Sequence, residues 1–368
     1  MRVSLGALLA GWVAVVVFVI ACQQDAGSSP GDAPDGATET PEGTSTASAS
    51  ATPTVTDTRF GVAGITPAGF PESTADQWNG FYDSIEGYGG LLGLYVDWRD
   101  EPLTEEGVPK ILDDQVRLAA DRGFTGLPLI GAHQQLNGPA TSTIDWHDPS
   151  QVAAFADVVV RFAGEHQPEF LGIGNEINMV WESEPEQFDG FVAALPGIVA
   201  AVRMASPETQ VFTVFALEAL TGDAFLMGNS EARQPQWELL DRVSGTVDVI
   251  AFTTYPYFDF ETPLDIPDDY YAAAAERAGK PIAFTEVGWP SAPLAVAPDS
   301  GYGGTLEEQA AFATRFLELT RPLEPRFALW LFAFDPGGVG DPFASVALGT
   351  HEGEPKPAYH LWAAEAAR

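Results

Sequence analysis

The sequence predicts a (β/α)8, or TIM, barrel: eight parallel strands closed into a cylinder, each followed by a helix. Three observations predict it. Eight short apolar runs alternate with eight amphipathic stretches over residues 58–368. That span suits an architecture that usually takes about 250 residues or more. Polar and aromatic residues collect directly after the runs, where a barrel of this kind builds its binding surface.

The runs are 60–65, 91–96, 126–130, 170–173, 210–215, 247–252, 281–284 and 327–332. Most are rich in Val, Ile, Leu and Phe and lie near Gly, Pro or Asp. A parallel strand is covered on both faces, so it reads as a continuous apolar run rather than an alternation. Helical patterns follow at 73–85, 108–122, 151–167, 184–205, 236–243, 267–278, 306–320 and 356–367. The stretch 216–229 fits neither pattern cleanly. An open doubly wound sheet shares the alternation. The polar residues at so many strand ends favour the closed barrel.

Composition narrows the function. Acidic residues outnumber basic ones 52 to 17, for a net charge of -35. Such a surface repels nucleic acid and anionic headgroups and disfavours polyanionic glycans, while a neutral substrate meets no such barrier. The single cysteine, Cys22, allows no intramolecular disulfide and no cysteine-based metal site. The five histidines show no metal-ligand spacing, and neither a P-loop nor GxGxxG is present. No metal and no cofactor is expected. Asp145-Trp146-His147-Asp148 looks like a metal cluster by composition, but Asp148 or Ser150 is better placed to cap the helix starting near Gln151.

The N-terminus reads as an export signal. Arg2 gives a short positive region and 3–21 is almost wholly apolar. The run ends Val19-Ile20-Ala21-Cys22, which resembles the lipobox of bacterial lipoproteins. That resemblance implies a signal peptide over 1–21 and a lipid on Cys22. Residues 22–57 are mostly Gly, Ser, Thr, Ala, Pro and acidic residues. They lack the apolar surface needed to offset ordering entropy and are expected to be a disordered tether. A flexible chain of that length spans on the order of 30 Å. The barrel domain is then 58–368, lipid-anchored at the bacterial cell surface, touching membrane only through its anchor, and monomeric.

The strand ends carry the chemistry. The second run ends in Asp97-Trp98-Arg99-Asp100, the third in His133-Gln134-Gln135, and the fourth in Asn175-Glu176-Ile177-Asn178. The sixth ends in Thr253-Thr254-Tyr255-Pro256-Tyr257 and the seventh in Glu286-Val287-Gly288-Trp289-Pro290-Ser291. The eighth carries Trp330. Glu176 and Glu286 follow runs four and seven, which lie roughly across a closed barrel. Two apposed carboxyls are what glycoside hydrolysis needs: one protonates the leaving oxygen and the other attacks the anomeric carbon or activates water. Alone, each has a plainer reading as a charge at a helix N-terminus. Together, on the fourth and seventh of eight units, they read as a catalytic pair.

Leu171-Gly172-Ile173-Gly174-Asn175-Glu176 and Phe284-Thr285-Glu286-Val287-Gly288-Trp289-Pro290-Ser291 resemble the strand 4 and strand 7 motifs of clan A glycoside hydrolases. The resemblance implies that Glu176 is the acid/base and Glu286 the nucleophile of a retaining O-glycoside hydrolase. It also implies that Asn175 binds a sugar hydroxyl and that Tyr255 hydrogen-bonds the nucleophile. The seventh-strand motif is similar to that of family 17 β-1,3-glucanases, which usually have Thr at the place of Val287. Gly-Asn-Glu-Ile is similar to family 53 β-1,4-galactanases, which usually have Tyr at the place of Trp289. The expected substrate is therefore a neutral β-linked polysaccharide or oligosaccharide of β-glucan or β-galactan type, cut internally.

Trp289 and Trp330, at strand ends, are expected as sugar-stacking platforms. Trp98, Trp146 and Trp181 are balanced between that role and packing. His133 and Asp97 are candidates for sugar hydroxyls or for structural hydrogen bonds. Arg99 is a candidate to hold a site carboxylate, or to pair with Asp100 or Glu101. The alternatives to an enzyme are a non-catalytic carbohydrate-binding lipoprotein on a glycosidase-like barrel and a solute-binding lipoprotein. A binder has no need of two apposed carboxylates, and a solute-binding protein usually has two lobes.

Overall fold

The computed structural model describes residues 58–99, 102–134, 140–222, 234–294, 304–337 and 342–368. Cys22 and the tether lie outside the described residues. Eight parallel strands close into a barrel: β1 (Arg59–Ala63), β2 (Leu91–Asp97), β3 (Thr125–Gly131), β4 (Phe170–Ile173), β5 (Gln210–Ala216), β6 (Val249–Thr254), β7 (Ile282–Val287) and β8 (Phe327–Leu331). Their order round the cylinder is their order in the chain, and β8 pairs back onto β1 with Gly61 opposite Leu329. Every predicted run is a strand, with ends displaced by three residues at most.

The surrounding helices are α1 (Ala75–Ser84), α2 (Lys110–Asp121), α3 (Pro149–His166), α4 (Ile177–Ser183), α5 (Pro185–Ala205), α6 (Leu217–Thr221), α7 (Glu238–Ser244), α8 (Tyr270–Ala278), α9 (Leu306–Thr320) and α10 (Pro357–Ala366). Two of them, α4 and α6, were not expected. The stretch 216–229, which fits neither pattern, is described to Gly222, and that part turns directly from β5 into α6. Helix starts follow ordinary capping chemistry. Thr74 and Gln77 form a reciprocal capping box on α1. Asp148 caps α3, accepting from the Ser150 N–H at 2.9 Å, and Thr305 caps α9 through the Glu308 N–H at 3.1 Å.

The barrel interior is plugged at its N-terminal end by Phe170, Phe212 and Phe327, whose rings lie 5.1 and 5.4 Å from centroid to centroid. Gly172 makes room above them: a Cβ there would sit 2.4 Å from Leu129 Cδ1. Outside the barrel, Phe284 packs against Tyr271 of α8 and Phe316 of α9 at 5.4 and 5.0 Å.

One irregularity on β7 places the site. Phe284 faces the helices, and in a regular strand Glu286, two residues on, shares that face. The β6–β7 pairing instead shifts register: Phe252 lies opposite Phe284, but Thr253 lies opposite Glu286. Thr285 is the extra residue of a β-bulge, a device that re-aims a side chain. It turns Glu286 from the helix layer toward the barrel axis, level with Thr253.

Candidate active site

Glu176 sits at the mouth of the barrel, immediately beyond β4. Gly174 takes φ 81° and Glu176 itself φ 43°. The left-handed region costs nothing at glycine but about 1–2 kcal/mol at a residue with a Cβ. The following helix holds Glu176 there. Asn178, fully buried on α4, donates to the Ala216 carbonyl at 2.9 Å and accepts from the Ala216 N–H at 2.8 Å. These two bonds clamp the start of α4 onto the end of β5.

The end of β6 bonds both carboxyls. Thr253 Oγ1 donates to Glu176 Oε1 at 2.6 Å. The Tyr255 hydroxyl donates to Glu286 Oε2. Thr253 and Tyr255 are two residues apart and so point the same way, inward. Thr254 between them points outward, to Glu218 of α6 at 2.8 Å.

Electrostatics couple the pair. Burial raises the pKa of both carboxyls, and the charge of Glu176 further pushes Glu286 up to about 8. Burial, with the same two charges, holds the Tyr255 phenol well above its ordinary range. Two such carboxyls titrate as a unit, and the proton they share is lost only once its holder must ionise beside a charge. Near neutral pH the site therefore offers one carboxylic acid and one carboxylate, the pair that acid-assisted displacement needs.

The other predicted residues divide. Asn175 is half-buried beside Glu176, and its Oδ1 is buried with no hydrogen-bond partner. Asp97, at the end of β2, accepts from Thr143 Oγ1 at 3.2 Å and from the Arg99 N–H at 3.1 Å. His133 is buried just past β3, and that burial pulls its pKa down to about 4, so the imidazole is neutral. Trp98 is half-buried and meets Phe155 edge-to-face at 5.8 Å.

Trp289 and Trp330 correct the expectation of sugar platforms. Both are fully buried. Trp330 faces the helix layer, packs on Phe312 and Trp362 at 5.9 and 5.4 Å, and donates to the Val346 carbonyl at 2.7 Å. Trp289 stacks on Phe312 at 5.2 Å. Buried Gln309 ties the two neighbourhoods together, donating to the Trp289 and Val346 carbonyls at 2.9 and 3.1 Å. These rings support the loops after β7 and β8 and offer no face to a ligand. Trp146 is likewise buried, between Phe155 and Phe191 at 5.3 and 5.0 Å, and Trp181 packs half-buried against the core. The Arg99 guanidinium donates to Gln151 and lies 5.6 Å from the Trp98 ring centre, so it holds no catalytic carboxylate.

Thr253, Asn178 and Glu218 were not singled out by the sequence. A signal for Thr253 was present: its spacing of two from Tyr255 on one strand. Asn178 and Glu218 act through short helices that the apolar pattern did not reveal.

No protein-family model and no curated protein matches this chain. Solved structures match its fold. A GH5_18 protein from Streptomyces cattleya, solved in complex with Manb1-4GlcNAc, has a TM-score of 0.59 at 16% identity, over 84% of this chain and 80% of that one. A family 39 glycoside hydrolase from the gut symbiont Bacteroides cellulosilyticus WH2 has a TM-score of 0.57 at 17% identity, over 83% of this chain. This chain spans 63% of that protein's length. The GH53 catalytic domain of Ignisphaera aggregans has a TM-score of 0.55 at 18% identity, over 84% of this chain and 96% of that one. The chain has the (β/α)8 fold of these glycoside hydrolases.

Proposed function

We propose that this protein is a retaining O-glycoside hydrolase acting on a neutral β-linked glycan, with Glu176 as acid/base and Glu286 as nucleophile. The observation that carries the reading is the coupled carboxyl pair on β4 and β7, bonded from the β6 end through Thr253 and Tyr255.

In the first step a Glu286 carboxylate oxygen attacks the anomeric carbon. The glycosidic C–O bond breaks, and Glu176 gives its proton to the departing oxygen. Tyr255 steadies the attacking carboxylate. In the second step the ionised Glu176 takes a proton from water, the water oxygen attacks the anomeric carbon, and the ester to Glu286 breaks. In this reading Asn175, beside Glu176, takes a sugar hydroxyl, the half-buried Trp98 packs on a sugar ring, and Asp97 and His133 bind further hydroxyls. The strongly acidic surface favours a neutral substrate, of β-glucan or β-galactan type, cut internally by a monomer.

The decisive measurement is the configuration of the first product. Galactan, β-1,3-glucan, mannan and xylan are each incubated with the protein and followed by proton NMR, with product sizing. The β-anomer is expected first, as a series of oligosaccharides. An α-anomer first means inversion, and cleavage of none of these glycans removes the reading.

We also propose that Cys22 carries a lipid and tethers the barrel to the bacterial surface through 22–57. Labelled fatty acid is expected to enter the wild-type protein when it is made in a bacterial host, and not the Cys22→Ser variant. Equal labelling of both overturns the anchor.

A further inference from the structure

Resting on the reading that Glu286 is the nucleophile, we propose that Glu218 is a positioning residue. It braces the Thr254–Tyr255 corner from behind β6 and so keeps the Tyr255 hydroxyl on Glu286.

Glu218 lies on α6, between β5 and the helix layer, and is 1% exposed. Its Oε1 accepts from Thr254 Oγ1 at 2.8 Å and from the Tyr270 hydroxyl at 3.1 Å. Its Oε2 has no hydrogen-bond partner. A carboxyl with an unpartnered oxygen is a costly thing to bury, and every neighbour on α6 from Leu217 to Leu220 is apolar. An apolar residue fits that helix better unless the carboxyl serves a contact.

The contact is at the strand end. β6 stops at Thr254, and the chain turns at Tyr255, with φ -137° and ψ 67°, into a short helical turn. Tyr255 is thus the first residue past the ladder, joined directly to the Thr254 that Glu218 holds. Glu218 therefore holds Thr254 from the outer face, while its neighbours Thr253 and Tyr255 reach Glu176 and Glu286 on the inner face. Three successive residues link three carboxyls through one strand end.

Among the described residues few titrating and charged groups surround this corner, Tyr257 beside Tyr255 being one. Tyr270 and Tyr271 face Glu218, Asp259 faces Tyr270, and Arg315 faces Tyr271. Glu286 is faced by Glu176 and Tyr255. This makes the sign of the effect diagnostic. Tyr255's hydrogen bond favours the ionised Glu286, so losing its alignment raises the pKa of Glu286. A direct electrostatic effect of deleting a carboxylate at 218 lowers it.

The test is a carbon-13 NMR titration of the full chain labelled at glutamate, with the Glu286 signal assigned from Glu286→Gln. Tyr255→Phe and Glu218→Ala are each expected to shift the Glu286 titration upward by similar amounts. The double variant is expected to match Tyr255→Phe alone. Glu218→Gln keeps an acceptor for Thr254 and Tyr270 and is expected to titrate near wild type. Thr254→Val removes the 2.8 Å bond without emptying the pocket, and a smaller upward shift is expected. A Glu286 titration unmoved in both Glu218→Ala and Thr254→Val overturns the proposal. So does a downward shift in Glu218→Ala, or shifts that add in the double variant. The titration needs no substrate, so a failure to hydrolyse any glycan sinks the enzymatic reading while leaving this result separate.

Discussion

Glu286→Gly is expected to lower kcat/KM by on the order of 10⁴-fold or more, because removing a nucleophile abolishes the covalent route rather than weakening it. The size follows from what remains. Glu176 can still protonate a leaving oxygen, but the oxocarbenium-like transition state loses the carboxylate that stabilises and then traps it. Glycine, rather than glutamine, leaves a hollow beside Tyr255. Added azide is expected to fill it, attack the anomeric carbon and restore turnover, giving a glycosyl azide of inverted configuration. The bulge at Thr285 makes this test specific, since it directs the 286 side chain inward beside Thr253. The measurement is the rate on an aryl β-glycoside, with and without azide, and NMR of the product. A variant that keeps wild-type turnover removes Glu286 from the mechanism. A separate check guards against a folding artefact. The pair holds its shared proton up to about 8, above the unfolded glutamate value of about 4.3. Folding therefore favours the protonated pair, and the loss of that proton costs stability increasingly as pH rises between those values. Glu286→Gln is expected to melt above wild type at pH 8, with the difference shrinking toward pH 4.

The barrel was legible because buried parallel strands write themselves as uninterrupted apolar runs. A charged side chain that ends such a run stands out, and so both Glu176 and Glu286 were found. What the runs do not record is direction. Trp330 looked like a platform because it lies near the end of β8. Its orientation follows from the strand's alternation once one face is known: Phe327 reaches the barrel interior and meets Phe170, and three residues later the strand presents its other face, to Phe312 and Trp362. The bulge on β7 was beyond reach, since it exists only in the pairing of β7 with its neighbours. Read without it, Glu286 faces the helices along with Phe284. The short helices α4 and α6 were also hidden. The residues Val214-Phe215-Ala216-Leu217 run apolar straight across the end of β5, so nothing marked the turn that places Glu218. The parts that bear on substrate chemistry were visible, while the parts that aim them depend on register and on what packs behind.

Glu176→Ala gives the second large effect, and its value lies in being unequal between substrates. On a glycan, whose leaving oxygen needs a proton, the rate is expected to fall by about 10²–10⁴-fold. On a 2,4-dinitrophenyl β-glycoside, whose leaving group departs unaided, the first step keeps near-wild-type speed. The second step then lags for want of a base, and a glycosyl-enzyme on Glu286 accumulates as a burst. The pH profile separates the two carboxyls further. Wild type is expected to lose activity above about pH 8, where the dyad gives up its shared proton, and again in acid, where the carboxylate becomes protonated. Without Glu176 there is no acid to lose, so the alkaline limb disappears. The surviving limb, the ionisation of Glu286, stays near the wild-type acid limb, because in wild type that ionisation happens while Glu176 is still protonated and uncharged. Activity of the variant therefore rises with pH and stays level past the point where wild type declines. If Glu176→Ala slows both substrates equally, or keeps the alkaline limb, the acid lies elsewhere in the site.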